Sequence, residues 1–474
     1  MISGNPCLNA ANRPNILLIF ADDLGWKDVG YQGSAFCQTP NIDRLAANGL
    51  VLTNGYAAAG NCAPSRACLI SGQYTPRHHV YAVQSTNRGP KNLMRMVPIP
   101  NRTELAGSST TVAESLKAAG YRTGIFGKWH LGSTKNDNTG PTDQGFDVYF
   151  DSRSPNPNAS EGRVNKDPKG IFSLTEKAGE FMAADSDQPF FCYVAHHAIH
   201  TALEARPETL ARFEKELPEE HRKLAMYAAC TYDLDAGVGQ LLSKLDELGI
   251  ADNTLVVFTS DNGGTQQSSQ EPLRGNKGCY YEGGIREPMI IRWPGRTTPG
   301  SRSDVPVINV DLYPTFLAAA GAQPPKDHTL DGTSLLPLLQ PDGKLERSAI
   351  FWHFPGYLDS PVIRGRDPVF RTRPVSVIRK GEWKLHLYHE EWQLDGGRSR
   401  ITENNAVELY HMTSDIGERE NLVASNPEMR EDLLNELLTW FDQTHALLPT
   451  EANDDYDPDA KKQGKRNANR KNQQ

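Results

Sequence analysis

Residues 15–23 read Asn-Ile-Leu-Leu-Ile-Phe-Ala-Asp-Asp, a run of apolar side chains that ends in two neighbouring aspartates. A short continuous apolar run predicts a strand that is buried on both faces. Four further runs of this kind recur along the chain, with helical patterns between them. This alternation predicts an α/β fold in which helices cover both faces of a large sheet. The four runs are residues 122–126, 189–195, 254–260 and 289–292.

The pattern changes after about residue 341, where strand signals follow one another closely. Residues 375–379 and 383–388 flank Lys380-Gly381 and predict a β-hairpin, with residues 407–410 as a third strand. Ser425 to Glu428 has the pattern of a capping box and predicts the start of a helix. We therefore expect a large α/β domain at residues 13–345 and a smaller C-terminal α+β subdomain at residues 346–450. Residues 451–474 have no aliphatic side chain larger than alanine and are predicted to be disordered.

The composition excludes several classes of protein. The 474 residues include 50 Lys and Arg against 58 Asp and Glu, and the net charge of −8 argues against a nucleic-acid partner. No apolar run approaches the roughly 20 residues that a membrane-spanning helix requires. The seven cysteines are odd in number and lack metal-binding spacing, which argues against a disulfide scaffold. Residues 1–13 lack the basic and apolar segments of a signal peptide.

Reactive side chains directly follow four of the five predicted strands. The first strand is followed by Asp22 and Asp23, and the fourth by Asp261 and Asn262. Ligands of open α/β sheets bind at the carboxyl ends of the strands, so we expect these groups to converge. Their oxygens suit Ca²⁺ or Mg²⁺. Each pair alone is common in turns, and only the joint pattern favours a metal site. The second and third strands are followed by Lys128 and His130, and by His196, His197 and His200.

The segment Asn61-Cys62-Ala63-Pro64-Ser65-Arg66 predicts a helix with a cysteine near its beginning. Pro64 suits the first turn of a helix, and Gly72 suits its end. The free N–H groups of a first turn favour an anion, and Arg66 lies one turn after Cys62. Cys62 is therefore a candidate for a chemical role. A small buried cysteine without such a role is the alternative that this segment alone leaves open.

Together these segments resemble the type I sulfatase family of the alkaline-phosphatase-like superfamily. Cys62 to Arg66 matches the family's C-x-P-S-R maturation motif, and Gly120 to His130 matches its second signature. Asn61 and Ser71 depart from the residues that are more usual there, and neither belongs to the chemistry. The other matches, in the family's order, are Asp22-Asp23, His200, Asp261 to Gly264, Leu273 to Gly278 and Glu282 to Gly284.

The resemblance implies an enzyme that hydrolyses sulfate esters and has an alkaline-phosphatase-like fold, with a large mixed sheet sandwiched by helices. It implies that Cys62 is oxidised to Cα-formylglycine by a formylglycine-generating maturation enzyme. Family members are often exported. The implied metal ligands, for Ca²⁺ rather than Mg²⁺, are Asp22, Asp23, Asp261 and Asn262. The implied catalytic residues are Cys62, Arg66, Lys128, His130, His200 and Lys277.

Roles within this set also follow from the resemblance. Lys128, Lys277 and His200 are expected to hold the sulfate group, and His200 or Lys277 to protonate the leaving oxygen. Arg66 and His130 are expected to hold the formylglycine. Asp261 is the candidate base.

Groups outside these motifs bear on the substrate. Residues 77–102 hold four arginines, one lysine and two histidines without an acid, which predicts either a basic rim for a sulfated sugar or a solvated loop. His197, His353 and Arg379 are further candidates for lining the cleft. Basic and aromatic groups favour a sulfated carbohydrate, small or oligomeric, over a steroid or lipid ester.

Two other functions are alternatives. One is a phosphodiesterase or phosphonate monoester hydrolase of the same superfamily. The context of Lys128, Gly127-Lys128-Trp129-His130, favours a sulfate ester over a phosphodiester or phosphonate as the substrate. The other is a non-catalytic protein that binds sulfated glycans. The intact set of catalytic residues argues against a binder, because binding needs no nucleophile.

Overall fold

The computed structural model describes residues 13–133, 138–152, 166–340 and 342–460. Within these ranges a large mixed sheet lies between helices, and a smaller antiparallel sheet forms near the C-terminus. The strands are β1 (Asn15–Ala21), β2 (Leu50–Leu52), β3 (Gly55–Tyr56), β4 (Arg122–Gly127), β5 (Val148–Phe150), β6 (Phe190–Ala195), β7 (Thr254–Ser260), β8 (Ile290–Arg292), β9 (Ser301–Ser303), β10 (Val307–Ile308), β11 (Ala349–Phe354), β12 (Leu358–Asp359), β13 (Phe370–Thr372), β14 (Val375–Lys380), β15 (Trp383–Tyr388) and β16 (Val407–His411).

The helices range from single turns to one of 23 residues. In the described part of the chain, none is long and apolar enough to cross a membrane. They are α1 (Pro40–Ala47), α2 (Cys62–Ser71), α3 (Thr75–His78), α4 (Val112–Ala118), α5 (Ile171–Met182), α6 (Pro207–Glu216), α7 (Ala225–Glu247), α8 (Glu282–Ile285), α9 (Leu312–Ala320), α10 (His389–Leu394) and α11 (Pro427–Thr444).

The large sheet has the strand order β5-β4-β6-β1-β7-β8-β2-β9. The five strands from β5 to β7 are parallel, whereas β8 runs antiparallel to β7 and to β2. Side chains of β1 alternate between the faces: Leu17 and Ile19 lie in an apolar cluster with α5 and α7, and Leu18 and Phe20 in another with α2, α4 and α9. Every residue of β1 is buried, as its unbroken apolar run predicted. The predicted α/β fold is confirmed.

The small sheet has the order β11-β14-β15-β16, and α11 belongs to its apolar cluster. The predicted hairpin and third strand are present as β14, β15 and β16. The predicted capping box is wrong, because no side chain caps the first turn of α11. The Ser425 hydroxyl instead donates to the Leu422 carbonyl, 3.3 Å away, and accepts from the Asn426 amide at 3.0 Å. Pro427 at the first helical position removes one donor that a cap would have to satisfy.

A buried ionic cluster joins the small sheet to the larger domain. The ammonium group of Lys384, on β15, lies 2.9 Å from carboxylate oxygens of both Glu282 and Glu418, and all three side chains are buried. Glu282 begins α8, which follows the loop that carries Lys277. Buried charges are tolerated only when they are paired, so this cluster fixes the loop against the small sheet.

The first part of the C-terminal segment is ordered. Ala452 forms a β-bridge with Met96, and the Asn453 amide donates to the carbonyls of Lys91 and Met94. The prediction of disorder is therefore wrong for residues 451–460, where backbone and amide hydrogen bonds replace the apolar burial that the composition lacks. Residues 461–474 lie outside the described residues.

Candidate active site

The strand order brings the predicted reactive residues to one edge of the large sheet. β1 lies between β6 and β7, and β4 is the other neighbour of β6. In the parallel register Ala21 pairs with Ser260, so the residues that follow, Asp22 and Asp261, stand side by side. The Asp23 backbone N–H donates to an Asp261 carboxylate oxygen at 3.1 Å.

Cys62 is the first residue of α2 and is buried. Asn61 before it has extended backbone dihedrals, and the helix ends at Gly72, whose φ of 66° suits glycine. The Cys62 sulfur lies 3.4 Å from an Asp22 oxygen, 3.8 Å from an Asp23 oxygen and 3.2 Å from the Lys277 ammonium group. The first side chain of α2, Cys62, therefore lies within the cluster of charged side chains at the ends of the strands.

Three cations neutralise the three carboxylates around Cys62. The Lys128 ammonium group lies 2.7 Å from Asp22, and that of Lys277 lies 2.6 Å from Asp23. The Arg66 guanidinium donates twice to one oxygen of Asp261, at 2.8 and 3.0 Å. Burial opposes ionisation of Asp22, but Lys128 and Arg66 hold its pKa well below the usual value.

The donor set fits a divalent cation. Ligand atoms of Asp22, Asp23, Asp261 and Cys62 all lie within 4.8 Å of one another. The Asn262 side-chain oxygen is buried and has no hydrogen-bond partner among the described residues, although its amide nitrogen donates to Asp23 at 2.8 Å. A buried carbonyl oxygen without a donor is costly unless a ligand satisfies it. Carboxylate and amide oxygens are the ligands that Ca²⁺ and Mg²⁺ take.

The two predicted histidines occupy different environments. His130 is mostly buried, its Nδ1 has no hydrogen-bond partner among the described residues, and burial together with Lys128 lowers its pKa to about 3. His200 lies at the mouth of the site and is 39% exposed. Its Nδ1 donates to the Thr201 carbonyl, which leaves Nε2 to face an Asp23 oxygen 3.8 Å away. Burial lowers the pKa of His200 as well, despite the nearby aspartates.

A pocket of about 580 Å³ opens onto this cluster and is lined by Asp23, His200 and Lys277. Its other walls come from residues that the sequence analysis did not assign to the site. Arg371 lies 94 positions after Lys277 in the chain and belongs to no motif, so spacing carried no signal for it. These additional lining residues are Thr201, Thr265, Gln266, Gln267, Asn276, Ser360, Val362 and Arg371.

Three candidates for the cleft do not line this pocket. His353 is fully buried, with Nδ1 2.7 Å from the Ser376 hydroxyl and Nε2 3.0 Å from the Leu447 carbonyl. Arg379 is buried 3.8 Å from Glu282, and His197 lies 2.8 Å from Asp151. The prediction for these side chains is wrong, because partners within the fold occupy them.

The basic rim predicted at residues 77–102 is also absent from the lining of this pocket. Arg77 pairs with Asp331 at 2.8 Å, Arg88 with Asp359 at 2.8 Å and Arg95 with Asp395 at 2.7 Å. Carboxylates distant in the sequence neutralise these arginines. Three of the four arginines of this segment are therefore held in ion pairs and do not form the predicted rim of the pocket.

The buried His353 predicts a loss of stability in acid. Burial lowers its pKa from 6.5 to about 4, so the unfolded chain gains a proton here below pH 6.5 and the folded chain does not. Above pH 6.5 this histidine does not lower the free energy of unfolding. As the pH falls from 6.5 towards 4, protonation of the unfolded chain lowers the free energy of unfolding, and the loss is roughly 2 kcal/mol near pH 5. Urea unfolding at about pH 7.5 and about pH 5 measures this effect, and His353→Gln should lose less stability than the wild type. Equal losses in the two proteins would contradict the assignment.

The chain is similar to known proteins along most of its length. The family model described as Sulfatase matches residues 14–322, and the one described as N-sulphoglucosamine sulphohydrolase, C-terminal, matches residues 275–443. A sulfatase from Formosa agariphila is 33% identical, with 92% of this chain and 90% of the relative covered. The N-acetylgalactosamine-6-sulfatase of Homo sapiens is 31% identical, with 93% of this chain and 88% of the relative covered.

This chain is also similar to a solved structure. The crystal structure of Ps i-CgsB in complex with k-i-k-neocarrahexaose matches with a TM-score of 0.71 and 30% identity, and the match covers 90% of this chain and 92% of that chain. The residues matched by the Sulfatase model include Asp22, Cys62, Asp261 and Lys277, so the family match spans the cluster described above. The predicted family and enzyme class are confirmed. This chain belongs to the sulfatase family: it is a sulfuric ester hydrolase with the alkaline-phosphatase-like fold.

Proposed function

We propose that the protein hydrolyses sulfate monoesters of carbohydrates with a Cα-formylglycine made from Cys62. The observation that carries the proposal is the position of Cys62, buried between two carboxylates and the Lys277 ammonium group at the first turn of a helix. A maturation enzyme that oxidises cysteine to formylglycine is the partner that this proposal requires.

The environment of Cys62 argues against the unmodified thiol as nucleophile. Burial and the neighbouring Asp261 raise its pKa, so the thiol keeps its proton at neutral pH. A protonated thiol is a weak nucleophile. A hydrated aldehyde at position 62 supplies one hydroxyl for attack on sulfur and a second whose deprotonation expels sulfate without a further water.

The sulfate group is held by Lys128, Lys277 and His200. The two ammonium groups contact different carboxylates, and both carboxylates lie within 3.8 Å of the Cys62 sulfur, so a sulfate at residue 62 meets positive charge from both lysines. Negative charge grows on the equatorial and leaving oxygens as the ester bond breaks, and fixed cations stabilise that charge more strongly than they stabilise the substrate. The acid that protonates the leaving oxygen is Lys277, whose ammonium group lies 3.2 Å from the Cys62 sulfur, or His200 in its imidazolium form, because a neutral His200 that donates from Nδ1 to Thr201 has no proton on Nε2.

Arg66 and His130 position residue 62, and Asp261 takes a proton from it. The Arg66 guanidinium bonds both to Asp261 and to the Lys128 carbonyl, which fixes the distance between α2 and the end of β4. Asp261 lies within 4.8 Å of the Cys62 sulfur and is the base that takes the proton of the attacking hydroxyl. The unpartnered Nδ1 of His130 is available to a polar group on residue 62.

We assign the cation to Asp22, Asp23, Asp261 and Asn262, and we favour Ca²⁺. A set of at least four oxygens from the protein suits Ca²⁺, whereas Mg²⁺ keeps several of its waters and takes fewer protein ligands. When bound, the ion would supply a fixed positive charge beside residue 62 that polarises a sulfate group and favours the loss of a hydroxyl proton.

The pocket supports a carbohydrate rather than a steroid or lipid. Apart from Val362, its lining consists of polar and charged side chains, with two glutamines, two threonines and an asparagine among them. Such groups match sugar hydroxyls, whereas a lipid ester requires apolar walls. A relative named N-acetylgalactosamine-6-sulfatase and a structure in complex with a neocarrahexaose point in the same direction.

Mass spectrometry and a substrate panel test the proposal together. In protein produced with a formylglycine-generating enzyme, the tryptic peptide of Cys62 should be ~18 Da lighter than the thiol form. That protein should release sulfate from members of a panel of sulfated mono- and disaccharides, and should favour nitrophenyl sulfate over a matched nitrophenyl phosphodiester. Full activity with an unmodified thiol would refute the formylglycine, and a preference for the phosphodiester would refute the sulfate assignment.

A further inference from the structure

Arg371, in β13, lines the active-site pocket without an acidic partner. Its Nε and Nη1 approach only the backbone carbonyls of Ser360 and Lys277, at 3.4 and 3.3 Å. Among the described residues, no carboxylate lies within 4.0 Å of its guanidinium. Burial and the neighbouring Arg88 lower the pKa of Arg371, and the more distant carboxylates of Asp359 and Asp23 offset this effect only in part.

Neighbouring arginines of the same subdomain differ from Arg371. Arg373, two residues further along the chain, pairs with Asp367 at 2.5 Å and with Glu390 at 2.7 Å. Arg366 likewise lies 2.9 Å from Glu391 and 2.7 Å from Glu408. A partly buried guanidinium is normally compensated by carboxylates in this way. Arg371 therefore differs from these two neighbours in having no carboxylate partner among the described residues.

The position of Arg371 relative to the nucleophile is fixed by close packing. A Cβ atom on Gly278 would lie 2.1 Å from the Cδ atom of Arg371, so the arginine stem lies against a backbone that has no side chain. Lys277, whose carbonyl Arg371 contacts, reaches the Cys62 sulfur with its ammonium group. The guanidinium and the Cys62 sulfur thus contact opposite ends of the same lysine residue.

The side chains that line the pocket carry an excess of positive charge. Asp23 is the only carboxylate among the described residues that line it, and Lys277 lies 2.6 Å from that carboxylate. The positive charge of Arg371 is left over after this pairing. A planar guanidinium binds carboxylate and sulfate oxygens through two parallel hydrogen bonds.

We propose that Arg371 is a specificity-determining residue that binds a second anionic group, a carboxylate or a sulfate, on the sugar whose sulfate ester is cleaved. This inference rests on the proposed function and adds a substrate class to it. The preferred substrate carries at least two negative charges, one at the scissile ester and one at the group that binds Arg371. A neutral sugar with a single sulfate leaves the guanidinium unpaired.

Kinetics with matched substrates test this assignment. The wild type and Arg371→Gln are compared on a monosulfated sugar that the panel identifies, on the same sugar with a second sulfate, and on the same sugar linked to a uronate. The variant should lose about 10- to 100-fold in kcat/KM on a doubly anionic substrate, mainly through KM, and keep its activity on the monosulfated sugar and on nitrophenyl sulfate. The arm that responds identifies the second anion as sulfate or carboxylate.

Two further variants separate binding from structure. Arg371→Lys keeps the charge and should recover part of the lost activity on the doubly anionic substrate. Arg77→Gln removes an arginine that pairs with Asp331 and does not line the pocket, and it should leave the preference between substrates unchanged. Equal losses on all substrates in Arg371→Gln, or a wild type that prefers the monosulfated sugar, would overturn the inference. A wild type that releases no sulfate from any substrate would instead overturn the proposed function.

Discussion

Replacing Cys62 with alanine is expected to lower kcat towards nitrophenyl sulfate by at least about 10⁴-fold, because the change removes the nucleophile from a site whose other groups remain in place. Cys62 is a small buried residue at a helix start, and alanine is a better helix former, so the fold should survive. The measurement is the rate of nitrophenol release by protein produced with the maturation enzyme. Thermal unfolding of the same sample shows that the variant is folded.

Cys68 provides the matched control, because it is a second buried cysteine on the same helix. Its sulfur contacts His78 at 3.4 Å and does not belong to the carboxylate cluster. Cys68→Ala should therefore keep most of the activity and show no change in the mass of the Cys62 peptide. Activity near that of the wild type in Cys62→Ala would place the nucleophile elsewhere.

Replacing Lys128 with methionine is expected to lower kcat/KM for the same substrate by about 10²- to 10³-fold, because a fixed positive charge beside the developing negative charge is lost. Methionine keeps most of the apolar stem of lysine. Asp22 loses its partner at 2.7 Å, but the Arg66 guanidinium lies 4.0 Å away and still compensates the carboxylate. The loss should therefore appear in turnover much more than in the unfolding temperature.

Lys117 is the control for this change. It lies in α4, immediately before β4, is about half exposed and pairs with Asp147 outside the site. An exposed pair of this kind contributes little to stability, and Lys117→Met should keep full activity. If Lys128→Met were as active as Lys117→Met, the sulfate group would have to be bound without Lys128.

The sequence predicted the position of the site because parallel strands end at one edge of a sheet. Asp22 and Asp261 each follow a buried apolar run. A continuous apolar run of this length is typical of a central strand that is buried on both faces. Cys62 could be placed because Pro64 and Gly72 mark the two ends of its helix. These signals are local in the sequence, and the structure contains each element that they predict.

The wrong predictions about the cleft concerned side chains whose partners lie far away in the chain. Arg77 and Arg88 looked like a free basic surface because no acid is near them in sequence, yet Asp331 and Asp359 neutralise them. His353 looked available for the cleft, yet the Leu447 carbonyl and Ser376 hold it in the interior. Whether a charge is free depends on tertiary contacts, since ion pairs act at distances of a few ångströms whatever the sequence separation.

By itself, the sequence predicted the α/β class, the buried strands, a helix with Cys62 near its beginning and the family that the chain resembles. These properties follow from apolar periodicity and from short motifs, which a single segment contains completely. Only the tertiary structure decided which cations remain unpaired and what forms the wall of the pocket. Arg371 reaches that wall because β13 packs against the loop of Lys277 and Gly278, and packing between distant segments is not encoded in the spacing of residues along the chain.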